Sequence, residues 1–110
     1  MGLAAATFRL MYLNSFKHEL ENKITIVTES KLSLTKTISE LTSASTDMDP
    51  ESEVTKQLNQ RKERLNALDK KLDDQMQLYN SQLEMVNTEL QSCQKMQADS
   101  IKSSFSYGQQ

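Results

Sequence analysis

Two interleaved heptad series constrain this chain more than any other feature. Every seventh residue from Leu3 gives Leu3, Leu10, Lys17, Ile24, Lys31 and Ile38. Every seventh residue from Ala6 gives Ala6, Leu13, Leu20, Val27, Leu34 and Leu41. The series alternate at spacings of three and four, so they draw a single stripe along an α-helix. Ten of the twelve positions are apolar, and the spacing does not slip between Leu3 and Leu41. A helix of this kind must lay its stripe on another helix.

The punctuation of the chain says where that partner helix lies. Among 110 residues there are only two Gly and one Pro, and both Gly sit near the ends. Strands and tight turns are therefore disfavoured and long helices are the default. Helix one is expected over about 3–43, where Ser and Thr accumulate and lower helix propensity. A turn over about 44–49 contains Asp47-Met48-Asp49-Pro50. Pro50 drives Asp49 out of helical angles. Asp49 is then a candidate N-cap, with Pro50 at the first helical position. Helix two is expected over about 50–104, followed by a short C-terminal tail. The predicted fold is all-α: one long antiparallel two-helix hairpin, coiled-coil-like, spanning 1–110 as a single domain and assembling with further helices.

The stripe of helix two reads Val54, Leu58, Arg61, Leu65, Leu68, Leu72, Met76, Tyr79, Leu83, Val86, Leu90, Cys93. The steps from Leu68 to Leu72 to Met76 are four and four, a stutter that locally unwinds a supercoil. Reversal at residues 47 and 48 sets Leu41 beside Val54, Val27 beside Leu68, Leu20 beside Met76 and Leu13 beside Leu83. Residues 97–110 then overhang, carrying Ile101, Phe105 and Tyr107. Lys17 and Lys31 occupy core-type positions, where a Lys fixes register at some cost in stability. Glu84, Asp69 and Glu63 come within their reach, and the alternative is snorkelling to the seam edge.

Charge is distributed unevenly. Residues 51–74 carry twelve charged side chains, whereas 75–110 carry five, and Arg9 is the only charge among the first sixteen residues. The hairpin brings the two charge-poor segments together at the end that holds both termini. Neutral amides stand there instead, at Gln75, Gln77, Asn80, Gln82, Asn87, Gln91, Gln94 and Gln97. A neutral amide is cheaper to bury than an unpaired charge. Phe8, Met11, Tyr12 and Phe16 on helix one, and Leu78 and Met85 on helix two, lie off the stripe at this end. A hairpin with one seam is marginal without further packing. The expected assembly interface is therefore Phe8, Met11, Tyr12, Leu13, Phe16, Leu78, Leu83, Met85, Val86, Leu90, Met96, Ile101 and Phe105.

Signatures of chemistry are sparse. His18 is the lone histidine and has no second metal-type ligand at helical spacing, so no metal site is expected. The sequence contains no nucleophile elbow and no glycine-rich phosphate loop. Cys93 reads as a buried thiol at a seam position. The mixed-sign run 69–74 reads as a solvated helix face. Thirteen Lys plus Arg against fifteen Asp plus Glu give no basic face for nucleic acid. No stretch reaches the length of a membrane span, and Arg9 inside the apolar opening argues against a secretory signal. Location is left between the cytoplasm and export by a specialised route without a cleaved signal. The expectation is a protein without catalytic activity or cofactor, whose partners are copies of itself or another helical protein. It reads as a structural subunit that self-assembles into a filament, tube or ring. The alternative is a coiled-coil adaptor or chaperone that binds a different protein.

Two resemblances bear on this reading. Met1-Gly2-Leu3-Ala4-Ala5, with Arg9, Lys17, Glu21, the run Lys31-Leu32-Ser33 and Thr35, resembles the opening of a group of small bacterial helical proteins of unknown function. It covers roughly residues 1–36 and implies a bacterial origin. The layout is also similar to that of needle-forming subunits of type III secretion systems. Those are helical hairpins with a Pro-containing turn that assemble through their terminal ends. Asp47-Met48-Asp49-Pro50 stands where such a turn would be. The likeness is architectural, and the arms here are longer.

Overall fold

The structure, a computed structural model, describes the backbone of residues 2–108 and the side chains of residues 2–105. Two helices, α1 (Leu3–Thr46) and α2 (Glu53–Gly108), pack antiparallel against each other as a hairpin. No strand occurs among the described residues. The side chain of Tyr107, expected on the overhang, lies outside the described set.

Helix α1 runs to Thr46, past the expected end near 43. Its hydroxyls explain the difference. Thr28, Thr37, Thr42 and Thr46 each donate to the carbonyl four residues back, at 2.8 to 3.1 Å. Bonded in this way the hydroxyls find their partners inside the helix, at a small cost that tends to bend it rather than end it.

The start of α2 is also corrected. Ser52, not Asp49, caps it: Ser52 Oγ accepts the Thr55 N–H at 3.2 Å. Asp49 instead governs the turn before the helix. Its carbonyl accepts the Ser52 N–H at 3.0 Å and its Oδ1 accepts the Glu51 N–H at 3.0 Å. Pro50 is thus the second residue of a β-turn, where its fixed φ is favourable, and is not the first residue of the helix. The buried Thr55 hydroxyl donates to Asp49 O at 2.6 Å. With its one proton so used, Thr55 Oγ1 is the acceptor in its 2.7 Å bond with the Ser52 hydroxyl.

The longer reversal shifts the register. Cys93 bonds to Ala6, where reversal at 47–48 would set Leu90. Glu89 pairs with Arg9 in place of Asn87, and Gln97 bonds to Thr7. The offset is about one turn of helix. Residues 97–100 are therefore not an overhang, since Asp99 and Ser100 border the same hollow as Gly2 and Leu3.

The seam of α1 follows the expected stripe: Ala6, Leu10, Leu13, Leu20, Val27 and Leu34 are its buried residues. The α2 seam does not follow its expected stripe throughout. Val54, Arg61 and Leu68 are exposed, and the residues just after them, Thr55, Lys62 and Asp69, turn inward. The inward set becomes Thr55, Leu58, Lys62, Leu65, Asp69, Leu72, Met76, Tyr79, Leu83, Val86, Leu90, Cys93. Its spacing alternates three and four without interruption, so the predicted stutter is absent.

The chain divides into two compact units, one made of the residues up to Lys23 with those from Tyr79 onward, the other of Ile24–Leu78. In the first, the terminal unit, Ala6, Leu10, Leu13, Leu20, Val86, Leu90 and Cys93 form one buried cluster, with Phe16, Tyr79 and Leu83 packed on it. In the second, the central unit, the buried residues among those described are Val27, Leu34 and Thr55.

Candidate assembly surface

The terminal unit is organised by its core. Leu20 is 1 % exposed and Leu13 2 %. The Cys93 thiol is buried and donates to the Ala6 carbonyl at 3.3 Å. Gln97 Nε2 donates to Thr7 Oγ1 at 3.1 Å. Among the described residues no buried side-chain polar atom lacks a hydrogen-bond partner.

This core absorbs part of the expected interface. Leu13, Val86 and Leu90 are buried between the two helices of the same chain, and Leu83 is half-buried against them. They are removed from the candidate surface, because the partner that covers them is already present. Leu78 falls in the central unit. Phe8, Met11, Tyr12, Met85, Met96, Ile101 and Phe105 remain outward, and Phe8 is 71 % exposed. Phe16 is half-buried, packed on the core.

Arg9 is central to the electrostatics of this surface. Its guanidinium pairs with Glu89 across the helices at 2.5 Å and lies 5.4 Å from the centre of the Tyr12 ring. Tyr12 in turn stacks with Phe16, ring centres 6.3 Å apart and planes within 6° of parallel. Lys23 pairs with Glu19 at 3.3 Å and sits 5.7 Å from the centre of the Tyr79 ring. Contacts of a cation with a ring face are favourable by about 0.5–1 kcal/mol at exposed sites. The sequence showed Arg9 as an isolated charge. Its partner is visible only once the register is known.

The two core-type lysines part company. Lys17 reaches Glu21 on its own helix at 4.0 Å, in place of Glu84. Lys31, in the central unit, bridges the helices to Asp69 at 3.1 Å and to Asp73. Hydrogen bonds first to Asp73 and then to Asp69 raise the Lys31 ammonium above the ordinary lysine range. Asp69 is among the partners that the sequence places in reach, and Asp73 is added by the structure. His18 is largely exposed, 4.0 Å from Glu21.

Among the described residues, no helix is long and apolar enough to cross a membrane. No protein-family model matches this chain, and no curated protein or solved structure matches it either.

Proposed function

We propose that the chain is a structural subunit that assembles with copies of itself into a filament, tube or ring, through its terminal unit. The observation that carries this reading is where the outward apolar groups lie. Phe8, Met11, Tyr12, Met85, Ile101 and Phe105 are more than half exposed. They sit in the part of the chain with the fewest charges. Scattered exposed apolar residues are ordinary. Ile26, Leu32, Val54 and Leu78 of the central unit are also more than half exposed, but they lie in stretches richer in charge, so what calls for a cover is apolar exposure combined with few ionic groups.

The amount of surface supports the same reading. The chain exposes 8176 Å². A compact monomer of 12.6 kDa would expose roughly 6,200 Å². The surplus, about 2,000 Å² for one chain, exceeds the roughly 800 Å² that each partner gives to a contact of standard size.

Light scattering on the purified chain, with negative-stain images, tests this. The expected result is a mass several times that of one chain, lost in Phe8→Asp and kept in Lys70→Glu. Leu13→Asp and Val86→Asp are unsuitable, because they would open the hairpin itself. A sharp monomer peak across the micromolar range overturns the proposal. A stable one-to-one complex with a different protein in the native host would favour an adaptor instead.

A further inference from the structure

The central unit carries a second seam frame that its packing leaves unused. On α2 the inward residues Thr55, Leu58, Lys62, Leu65, Asp69 and Leu72 alternate at three and four. Val54, Leu58, Arg61, Leu65, Leu68 and Leu72 alternate just as regularly. Both series share Leu58, Leu65 and Leu72, so they differ by a roll of α2 of about 50°, half the angle between successive residues. The occupied frame is the more polar of the two. It turns Thr55, Lys62 and Asp69 inward, while Val54 stays 53 % exposed and Leu68 46 %. Apolar burial alone would choose the other frame.

Two polar devices hold the occupied frame. Lys31 on α1 donates to Asp69 at 3.1 Å and to Asp73. The Thr55 hydroxyl donates to the Asp49 carbonyl at 2.6 Å. Room for the roll exists on the side that Leu68 would enter. An open hollow there is lined by Leu34, Leu65, Leu68 and Leu72 and, on α1, by the small Ser30 and Ser33. Rolling Leu68 into this hollow carries Asp69 and Asp73 outward, against the pull of Lys31.

We propose that the central unit is a two-frame seam in which α2 rolls between these packings, with the Lys31 bridge as the latch of the occupied one. Packed helix faces switch between discrete arrangements, because side chains interdigitate in one frame or the other and not between. The cost of the roll falls near Leu72. Met76 continues both series, so the second frame steps by four and four from Leu68 to Leu72 to Met76. That stutter is absorbed by local unwinding. The second frame also sets Arg61 at the seam, where its stem can lie on apolar groups with the guanidinium in water. A latch of this kind acts within one chain, whether or not copies assemble.

Thiol labelling of the full chain tests the latch, read site by site by mass spectrometry so that the buried Cys93 is scored separately. Arg61→Cys and Lys62→Cys are the two reporters, each made with Lys31 in place and with Lys31→Leu. Labelling of a thiol depends on its exposure. With Lys31 in place, Arg61→Cys is expected to label faster than Lys62→Cys. Lys31→Leu sets an apolar group against Asp69 in the occupied frame and against Leu68 in the other, so the order is expected to invert. Each reporter is less polar than the residue it replaces and favours its own burial, which works against both expected orders. Adding Asp69→Leu to Lys31→Leu should restore the first order, because the occupied frame is then apolar at that point. An unchanged order in Lys31→Leu overturns the proposal. So does fast labelling of both reporters, which would mean a loosened seam with no second packing. An inverted order that Asp69→Leu fails to restore overturns it as well.

Discussion

The terminal and central units use one heptad pattern in two chemical settings. In the terminal unit the seam is apolar except at Lys17 and is closed, with Leu10, Leu13, Leu20, Val86, Leu90 and Cys93 buried together. Its exterior carries fewer charges than that of the central unit. In the central unit the seam admits Lys31, Thr55, Lys62 and Asp69, and the exterior is densely charged. Half-exposed ion pairs such as Lys31 with Asp69 contribute little net stability. They do penalise a slipped register, because a shift by one turn would strand a charge against leucines. Where the seam is most closed, charges are fewest. Where the surface is well solvated, the seam is held by polar specificity.

The sharpest way to break this comparison is to remove one leucine from each unit. Leu20→Ala empties a site that is 1 % exposed, and is expected to cost about 2–5 kcal/mol. Leu65→Ala removes a half-buried side chain, and is expected to cost roughly 1 kcal/mol. Urea denaturation of the two variants measures both. Equal losses would mean that the central seam is as tightly closed as the terminal one, and the contrast would fall.

A smaller effect belongs to the end of the central unit. Ser52→Ala removes the acceptor of the Thr55 N–H and should cost about 1 kcal/mol. Amide exchange should quicken at residues 53–56 with little change in the terminal unit. Asp49→Ala, which disturbs only the turn, should cost less. The reverse order would restore Asp49 as the cap.

How much of this was legible in the sequence differs between the helices for physical reasons. The α1 seam could be read because its apolar residues recur on one stripe and few compete for it. On α2, Val54 and Leu68 attract the eye as seam residues, yet Leu68 is 46 % exposed while its neighbour Asp69 turns inward. Periodicity of apolar residues cannot reveal a seam built from Thr, Lys and Asp, whose burial depends on partners across the hairpin. The register was misplaced because the reversal consumes more chain than a Pro-centred turn. The back-bonded hydroxyls before it and the Ser52 cap after it are local hydrogen-bond choices that propensity averages away. Leu13, Val86 and Leu90 were assigned to an outer surface because an apolar side chain reads alike whether its own chain or another covers it. Arg9 was visible as a lone charge, but pairing it with Glu89 required the corrected register.

The smallest expected effect tests the polar half of the comparison. The Lys31 ammonium donates to Asp73 and Asp69, and these bonds hold its pKa above the ordinary lysine value. A raised folded-state pKa means that protonation favours the folded chain. The contribution is complete below the unfolded-state pKa, about 10.4, and is lost as the pH rises through the folded-state value. The wild type alone cannot isolate Lys31. The difference in melting temperature between the wild type and Lys31→Gln can. That difference should be constant from neutral pH to about pH 10 and should shrink above it. Its size will be small and will fall with added salt, because the side chain is partly open to solvent. A difference that keeps its value into the alkaline range would assign the role of Lys31 to its aliphatic stem against the seam. The central unit would then be held by packing in the same manner as the terminal one, only more loosely.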